Sequence, residues 1–168
     1  MTWFVRAFLK ASLAWLALGV STGVAMAAHP VWTVYRLAHV HMLLLGFVAM
    51  MIFGVAYHVI PRFVGFPLHR PALAGVHWWL ANVGLLFMAA GFVVRVLAPT
   101  VGTAVLAAGG ALSALGAYLF VYLLWRTIDG PSRMRVAAAR AARAVERGAT
   151  RGSRTLTVVA MHSAAGAD

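Results

Sequence analysis

The chain has 168 residues, 63% of them hydrophobic and 10% charged, with a mean hydropathy of +0.89 and no cysteine. That composition reads as an integral membrane protein. It excludes disulfides, zinc–thiolate sites, iron–sulfur clusters and thiol catalysis. The only acids, Asp129, Glu146 and Asp168, lie in the C-terminal quarter, which excludes paired-carboxylate chemistry inside the membrane. The formal charge of +11 is unevenly placed: eight of the fourteen basic residues fall between Arg126 and Arg154. This is the pattern of positive charge held on the cytoplasmic side. No nucleic-acid partner is expected, because the sequence after Trp125 has no aromatic residue on which a base could stack.

Four apolar stretches are long enough to cross a bilayer, which takes about 20 helical residues. They run over Ala11–Ala28, Leu37–Ile60, Val76–Leu97 and Val101–Trp125. His29-Pro30, the segment from Pro61 to Pro71, and Pro99 separate them. The link between the third and fourth spans is so short that those helices must be antiparallel neighbours. Arg6, Lys10, the following apolar run and Ala25-Met26-Ala27 also have the pattern of a cleavable signal peptide. The first segment is read as a retained helix on charge. With four spans, both termini and the loop bearing Arg62 and Arg70 share one side, collecting twelve basic residues against two, Arg36 and Arg95. The positive-inside rule then makes both termini cytoplasmic and puts Arg36, His39, His41 and Arg95 toward the external, periplasmic face of a bacterial inner membrane.

Glycines recur every seven residues at Gly102, Gly109 and Gly116, and again at Gly84 and Gly91. Such stripes let helix backbones approach closely in lipid, within or between subunits. The predicted fold is all-α, an integral membrane four-helix bundle over residues 1–128. An arginine- and alanine-rich cytoplasmic tail over 129–168 follows it. Arg133 through Arg147 reads either as a helix on an anionic membrane surface or as a disordered tail. The residues after Gly148 read as disordered.

Seven histidines are distributed along the chain. His162 in the tail, His29 in a connection and His69 in a loop read as ordinary solvated residues. His58 and His77 fall on one side of the membrane and can meet there, with interfacial hydrogen bonding the expected role and a second metal or haem site the alternative. His39 and His41 differ, because they stand at the mouth of a membrane span. An intramembrane imidazole is a functional candidate by default, and neutral imidazole is the commonest metal ligand. Two positions on a helix correspond to about 200° of rotation, so the two rings face nearly opposite ways and cannot easily share one metal. His58 lies 17 positions past His41, about 25 Å of helix at about 1.5 Å per residue. It cannot be the second ligand to the same ion. His77 is on the wrong side, and apart from His29 no histidine of the chain has the right depth. The partner ligand is therefore expected on another subunit.

The run Arg36-Leu-Ala-His39-Val-His41, continuing to Gly54-Val-Ala-Tyr57-His58-Val-Ile-Pro61-Arg62, resembles the second transmembrane helix of the haem-copper oxidase and nitric oxide reductase catalytic subunit. His39 matches the position of that helix's axial ligand to the low-spin haem. His39 and His41 are also similar to a His-x-His pair on that subunit's tenth helix, which serves two haems from opposite faces. The family subunit has twelve helices in three arcs of four, and this chain has the size of one arc.

The resemblance implies haem b as cofactor and a homotrimer as the twelve-helix equivalent, with His39 of one chain and His41 of the next as axial ligands to a shared iron. Arg36 and Arg95 become candidates to bind haem propionates, or else are interfacial snorkelling cations. The implied role is bis-histidine electron transfer, with a quinone or a cytochrome as redox partner. A sensor or carrier of nitric oxide or another diatomic gas, and a non-haem accessory subunit of an oxidase, are the alternatives. The histidines that would hold the family's copper have no counterpart, and no tyrosine is identified as a match for the family's active-site tyrosine. Oxygen reduction by this chain alone is not expected.

Overall fold

The computed structural model describes residues 1–143 and divides the chain at Ile128–Asp129 into two units. In the first unit, four helices are long and apolar enough to cross a membrane. α1 runs over Trp3–Ala28, α2 over Pro30–Val64, α3 over Pro71–Leu97 and α4 over Pro99–Ile128. Each is longer than its apolar core predicts. Proline explains three of the differences: Pro30, Pro71 and Pro99 open helices, where a missing N–H costs nothing.

Pro61 does not end α2. It sits within the last turn, and the helix ends three residues later at Val64, capped by Gly65, whose φ of 65° is left-handed. Gly65 N–H donates to Arg62 O at 3.3 Å and Phe66 N–H donates to Pro61 O at 3.1 Å. This bond pair satisfies the carbonyls that the last turn leaves free.

α2 is not uniform. Pro30–Tyr35 is a 3-10 turn, Arg36–His41 is α-helical, Met42–Ala49 is π-helical, and Met50–Val64 is α-helical again. A π-helix bonds i to i+5 and is rare, commonly marking a functional site. Gly46 lies in this wide stretch, where a Cβ would fall 2.6 Å from Trp15 of α1 and 2.9 Å from Leu85 of α3. Three helices meet there because one of them has no side chain.

The glycine stripes pack against one another inside the chain. A Cβ on Gly91 would lie 2.6 Å from the Leu106 backbone nitrogen, and one on Gly109 2.5 Å from that of Met88. One on Gly102 would lie 2.2 Å from the Arg95 nitrogen. α3 and α4 are therefore held backbone to backbone, antiparallel as their short link requires. Both stripes are used by this one interface.

Most of the core sits at one end of the bundle. Phe4, Val5 and Phe8 of α1 meet Met50 and Tyr57 of α2, Ala74, Ala81 and Leu85 of α3, and Leu123 and Leu124 of α4. Phe4, Val5 and Phe8 thus make the N-terminal segment an integral part of the bundle. Midway, Trp15 Nε1 donates to Asn82 Oδ1 at 3.1 Å, and Asn82 Nδ2 donates to Trp78 O at 2.8 Å. These bonds pair the Asn82 amide and the Trp15 indole, while the buried Trp78 Nε1 has no partner among the described residues.

In the second unit, residues 130–143 are helical, which takes in most of the alanine–arginine segment. Its remainder, the expected disorder beyond Gly148 and His162 lie outside the described residues.

Candidate functional site

His39 and His41 diverge as the helical period requires. The His39 ring turns to α1, where Gly19, Thr22 and Gly23 form a shallow recess. A Cβ on Gly23 would come within 3.0 Å of His39 Cε1, so the ring lies flush against the helix only because that position is glycine. His39 Nδ1 is 2.9 Å from Gly19 O and 3.3 Å from Thr22 Oγ1. The Thr22 hydroxyl donates to Gly19 O at 2.8 Å, so its oxygen can only accept from the ring. Both partners of Nδ1 are acceptors, which fixes the proton on Nδ1 and leaves Nε2 its lone pair.

His41 turns to α3 and packs on Phe92, ring centroids 4.8 Å apart. Its Nδ1 is 2.8 Å from Leu37 O, one turn back on its own helix. A carbonyl only accepts, so here too the proton is on Nδ1 and Nε2 keeps its lone pair. Metal-binding histidines typically donate the other ring N–H to a carbonyl or carboxylate, which sets the tautomer and raises the basicity of the ligating nitrogen. Both imidazoles are prepared in this way, on opposite faces of one helix. The donor chemistry fits iron ligation through Nε2.

The surrounding space is small. An apolar cavity of about 170 Å³ adjoins His39, lined by residues including Thr22, Met26, Trp32, Tyr35 and Val93. A second hollow of about 200 Å³ lies between Val34 and Leu37 of α2 and Phe92, Arg95 and Val96 of α3. Ligand pockets commonly measure about 300–1,000 Å³. Neither hollow reaches that size within one chain. Arg95 thus shares a corner with Phe92 and His41, whereas Arg36 is exposed on the first turn after the 3-10 segment. Among the described residues, no group of three or more His, Cys, Asp or Glu side chains is placed to hold a metal ion.

His58 and His77 do not meet. His77 is fully buried, its Nδ1 2.9 Å from Tyr57 Oη. Phe8, Phe53 and Phe120 surround its ring at centroid distances of 4.9, 4.7 and 5.7 Å. Its Nε2 has no partner among the described residues. His58 instead accepts at Nδ1 from Arg62 Nη1 at 2.8 Å. The hydrogen-bonding role expected of these two histidines is real, but each takes a different partner. His69 ties its loop to α4, its backbone N–H donating to Thr127 Oγ1 at 3.0 Å. His29 stacks on Trp32 at 4.9 Å.

The residues that sequence reasoning passes over are the recess-forming Gly19, Thr22 and Gly23, the Trp15–Asn82 bridge, and Tyr57 as partner of His77. Asn82 and Tyr57 carry a visible signal, being polar groups inside apolar spans. The recess carries none, since small residues are common in membrane helices.

No family model matches the chain. It is 30% identical over 152 residues to the Cbb3-type cytochrome c oxidase subunit CcoN1 of Stutzerimonas stutzeri, covering 73% of this chain and 32% of that protein. It is also 30% identical over 122 residues to the cytochrome c oxidase subunit 1 of Rhodobacter capsulatus, covering 58% of this chain and 23% of that protein. The chain thus spans about a third of the length of the first relative and about a quarter of the second. The resemblance carried by Arg36–Arg62 extends well beyond those residues, and the chain is a membrane protein similar to part of the haem-copper oxidase subunit I.

Proposed function

We propose that this protein is a membrane haem b electron carrier of a bacterial inner membrane, with both termini cytoplasmic. The observation that carries the reading is the shared tautomer: His39 and His41 each bind a backbone carbonyl through Nδ1, at 2.9 and 2.8 Å, and keep Nε2 as a lone-pair donor. One chain offers these two donors on opposite faces, beside hollows too small to enclose a macrocycle. The reading is therefore a homotrimer in which His39 of one chain and His41 of the next ligate one haem, a closed ring of heterologous contacts. A haem held by these two imidazoles would supply one-electron transfer.

The chain's own residues hold and tune such a group. Gly19, Thr22 and Leu37 orient the two rings, and Phe92 supports His41. Arg95, and Arg36 at the exposed mouth, offer guanidinium forks to propionate carboxylates. No acid lies between Met1 and Ile128 to compete for them. The external redox partner is a quinone or a cytochrome.

A second reading draws on the apolar cavity of about 170 Å³ beside His39, which has room for a diatomic gas next to an open axial position. The optical spectrum of the purified chain tests both. A Soret band unchanged by carbon monoxide supports the bis-histidine carrier, and a shifted band supports the gas-binding protein. A protein without a Soret band rules out both.

A further inference from the structure

A ligand-sized space in the four-helix unit lies away from His39 and His41. A cleft of about 490 Å³ opens at the other end of the bundle, lined by residues including Phe4, Tyr57, His58, Pro61, Arg62 and Pro71. That volume is within the usual range for small-molecule sites. We propose that this cleft binds an anionic phospholipid, with Arg62 and His58 holding its phosphate and one acyl chain lying along Phe4, Tyr57 and Pro61.

The rim presents donors. Arg62 Nη1 donates to His58 Nδ1 at 2.8 Å and to His58 O at 2.6 Å. A guanidinium cannot accept, so His58 Nδ1 is the acceptor and the ring proton sits on Nε2. His58 is thereby the opposite tautomer to His39 and His41: its free nitrogen donates and does not ligate. Arg62 keeps three further N–H donors, so the complementary partner is an anion with several acceptor oxygens.

The wall presents few, the amino group of Met1 and the hydroxyl of Thr2 standing at its edge. Tyr57 directs its hydroxyl to His77, and Pro61 and Pro71 have no N–H. Most of what remains is aromatic and aliphatic surface, from Phe4, Phe66, Pro67 and Leu68 among others, which a wholly polar anion leaves uncovered. An amphipathic anion meets both demands. The same end of the bundle gathers Arg6, Lys10, Arg62, Arg70 and Arg126, with no acid between Met1 and Ile128 to neutralise them. Anionic headgroups attract such clusters at the membrane surface.

The test uses the full chain, delipidated in detergent and then supplied with phosphatidylglycerol or with phosphatidylcholine, retention being read by native mass spectrometry. Phosphatidylglycerol is expected to be retained about tenfold better, the worth of one charge-assisted hydrogen bond. Arg62→Gln is expected to abolish that preference and Arg62→Lys to keep part of it. Arg70→Gln, at the same end but outside the cleft, is expected to leave it intact. Unchanged preference in Arg62→Gln, or equal losses in Arg62→Gln and Arg70→Gln, would overturn the proposal, the second result revealing a diffuse basic surface. Displacement of the lipid by millimolar inorganic phosphate would also overturn it, showing a site for a free anion. Circular dichroism of each variant confirms that the helices persist, and a variant that unfolds is replaced by His58→Phe, expected to lose most of the preference.

Discussion

A pair of polar aromatic groups stands at each end of α2, His39 and His41 on α2 itself and Tyr57 with His77 of α3, yet the two pairs are built for different things. At the closing end, Tyr57 and His77 are buried together in a cage of phenylalanines, and their hydrogen bond is directed at each other. At the mouth, His39 and His41 spend one nitrogen on a carbonyl and keep the other. The core is concentrated at the closing end, whereas the mouth contributes only Ala38 and Met42 to it. The contrast teaches that histidine count and depth do not make a ligand. His77 also leaves Nε2 without a partner among the described residues, but it is enclosed and its Nδ1 meets a hydroxyl that can donate or accept, whereas a carbonyl fixes the proton of His39 and His41.

This contrast predicts that substitutions at the two ends separate cofactor retention from stability. The largest effect on retention is expected from Gly23→Leu. A side chain there displaces the His39 ring, whose Cε1 lies 3.0 Å from where a Cβ would stand. Most of the bound haem should be lost in a pyridine haemochrome assay, with the helical content unchanged.

Gly102→Val acts at the mouth through structure instead. Its Cβ would fall 2.2 Å from the Arg95 nitrogen, forcing α3 and α4 apart at a cost of about 1–3 kcal/mol. Equilibrium unfolding in mixed micelles measures it. Unchanged stability would mean that the glycine interface is not the one described.

Tyr57→Phe tests the closing end. It removes the one hydrogen-bond partner that a fully buried imidazole has among the described residues and is expected to cost about 1 kcal/mol or slightly more, leaving haem content as in the parent protein. Loss of haem from this variant would join the two ends functionally and contradict their separation. The smallest effect is expected of Asn82→Leu. It breaks the bridge to Trp15 beside the π-helical segment, at about 0.6 kcal/mol, the typical worth of such bonds in membrane bundles.

The spans were legible because an apolar run of membrane length has few other readings, and the opposite facing of His39 and His41 followed from the helical period alone. Pro61 misled as a breaker because a proline in the final turn sacrifices only one bond, and Gly65 is the true terminus. The destination of the glycine stripes was open between subunits and within one, since a heptad of small residues does not name its partner. The meeting of Tyr57 with His77, in place of His58, depends on the relative rotation of α2 and α3. The π-helical turns at Met42–Ala49 alter that rotation, and nothing in those apolar residues announces them.

The central claim is that His39 and His41 of neighbouring chains share one haem, and trans-complementation tests it most directly. His39→Ala and His41→Ala chains, each expressed alone, should carry no haem. Co-expressed with distinguishable tags and purified through both, they should regain about one haem per mixed trimer, because one interface then pairs an intact His39 with an intact His41. Haem retained by either variant alone, or none recovered in the mixed assembly, would contradict the account.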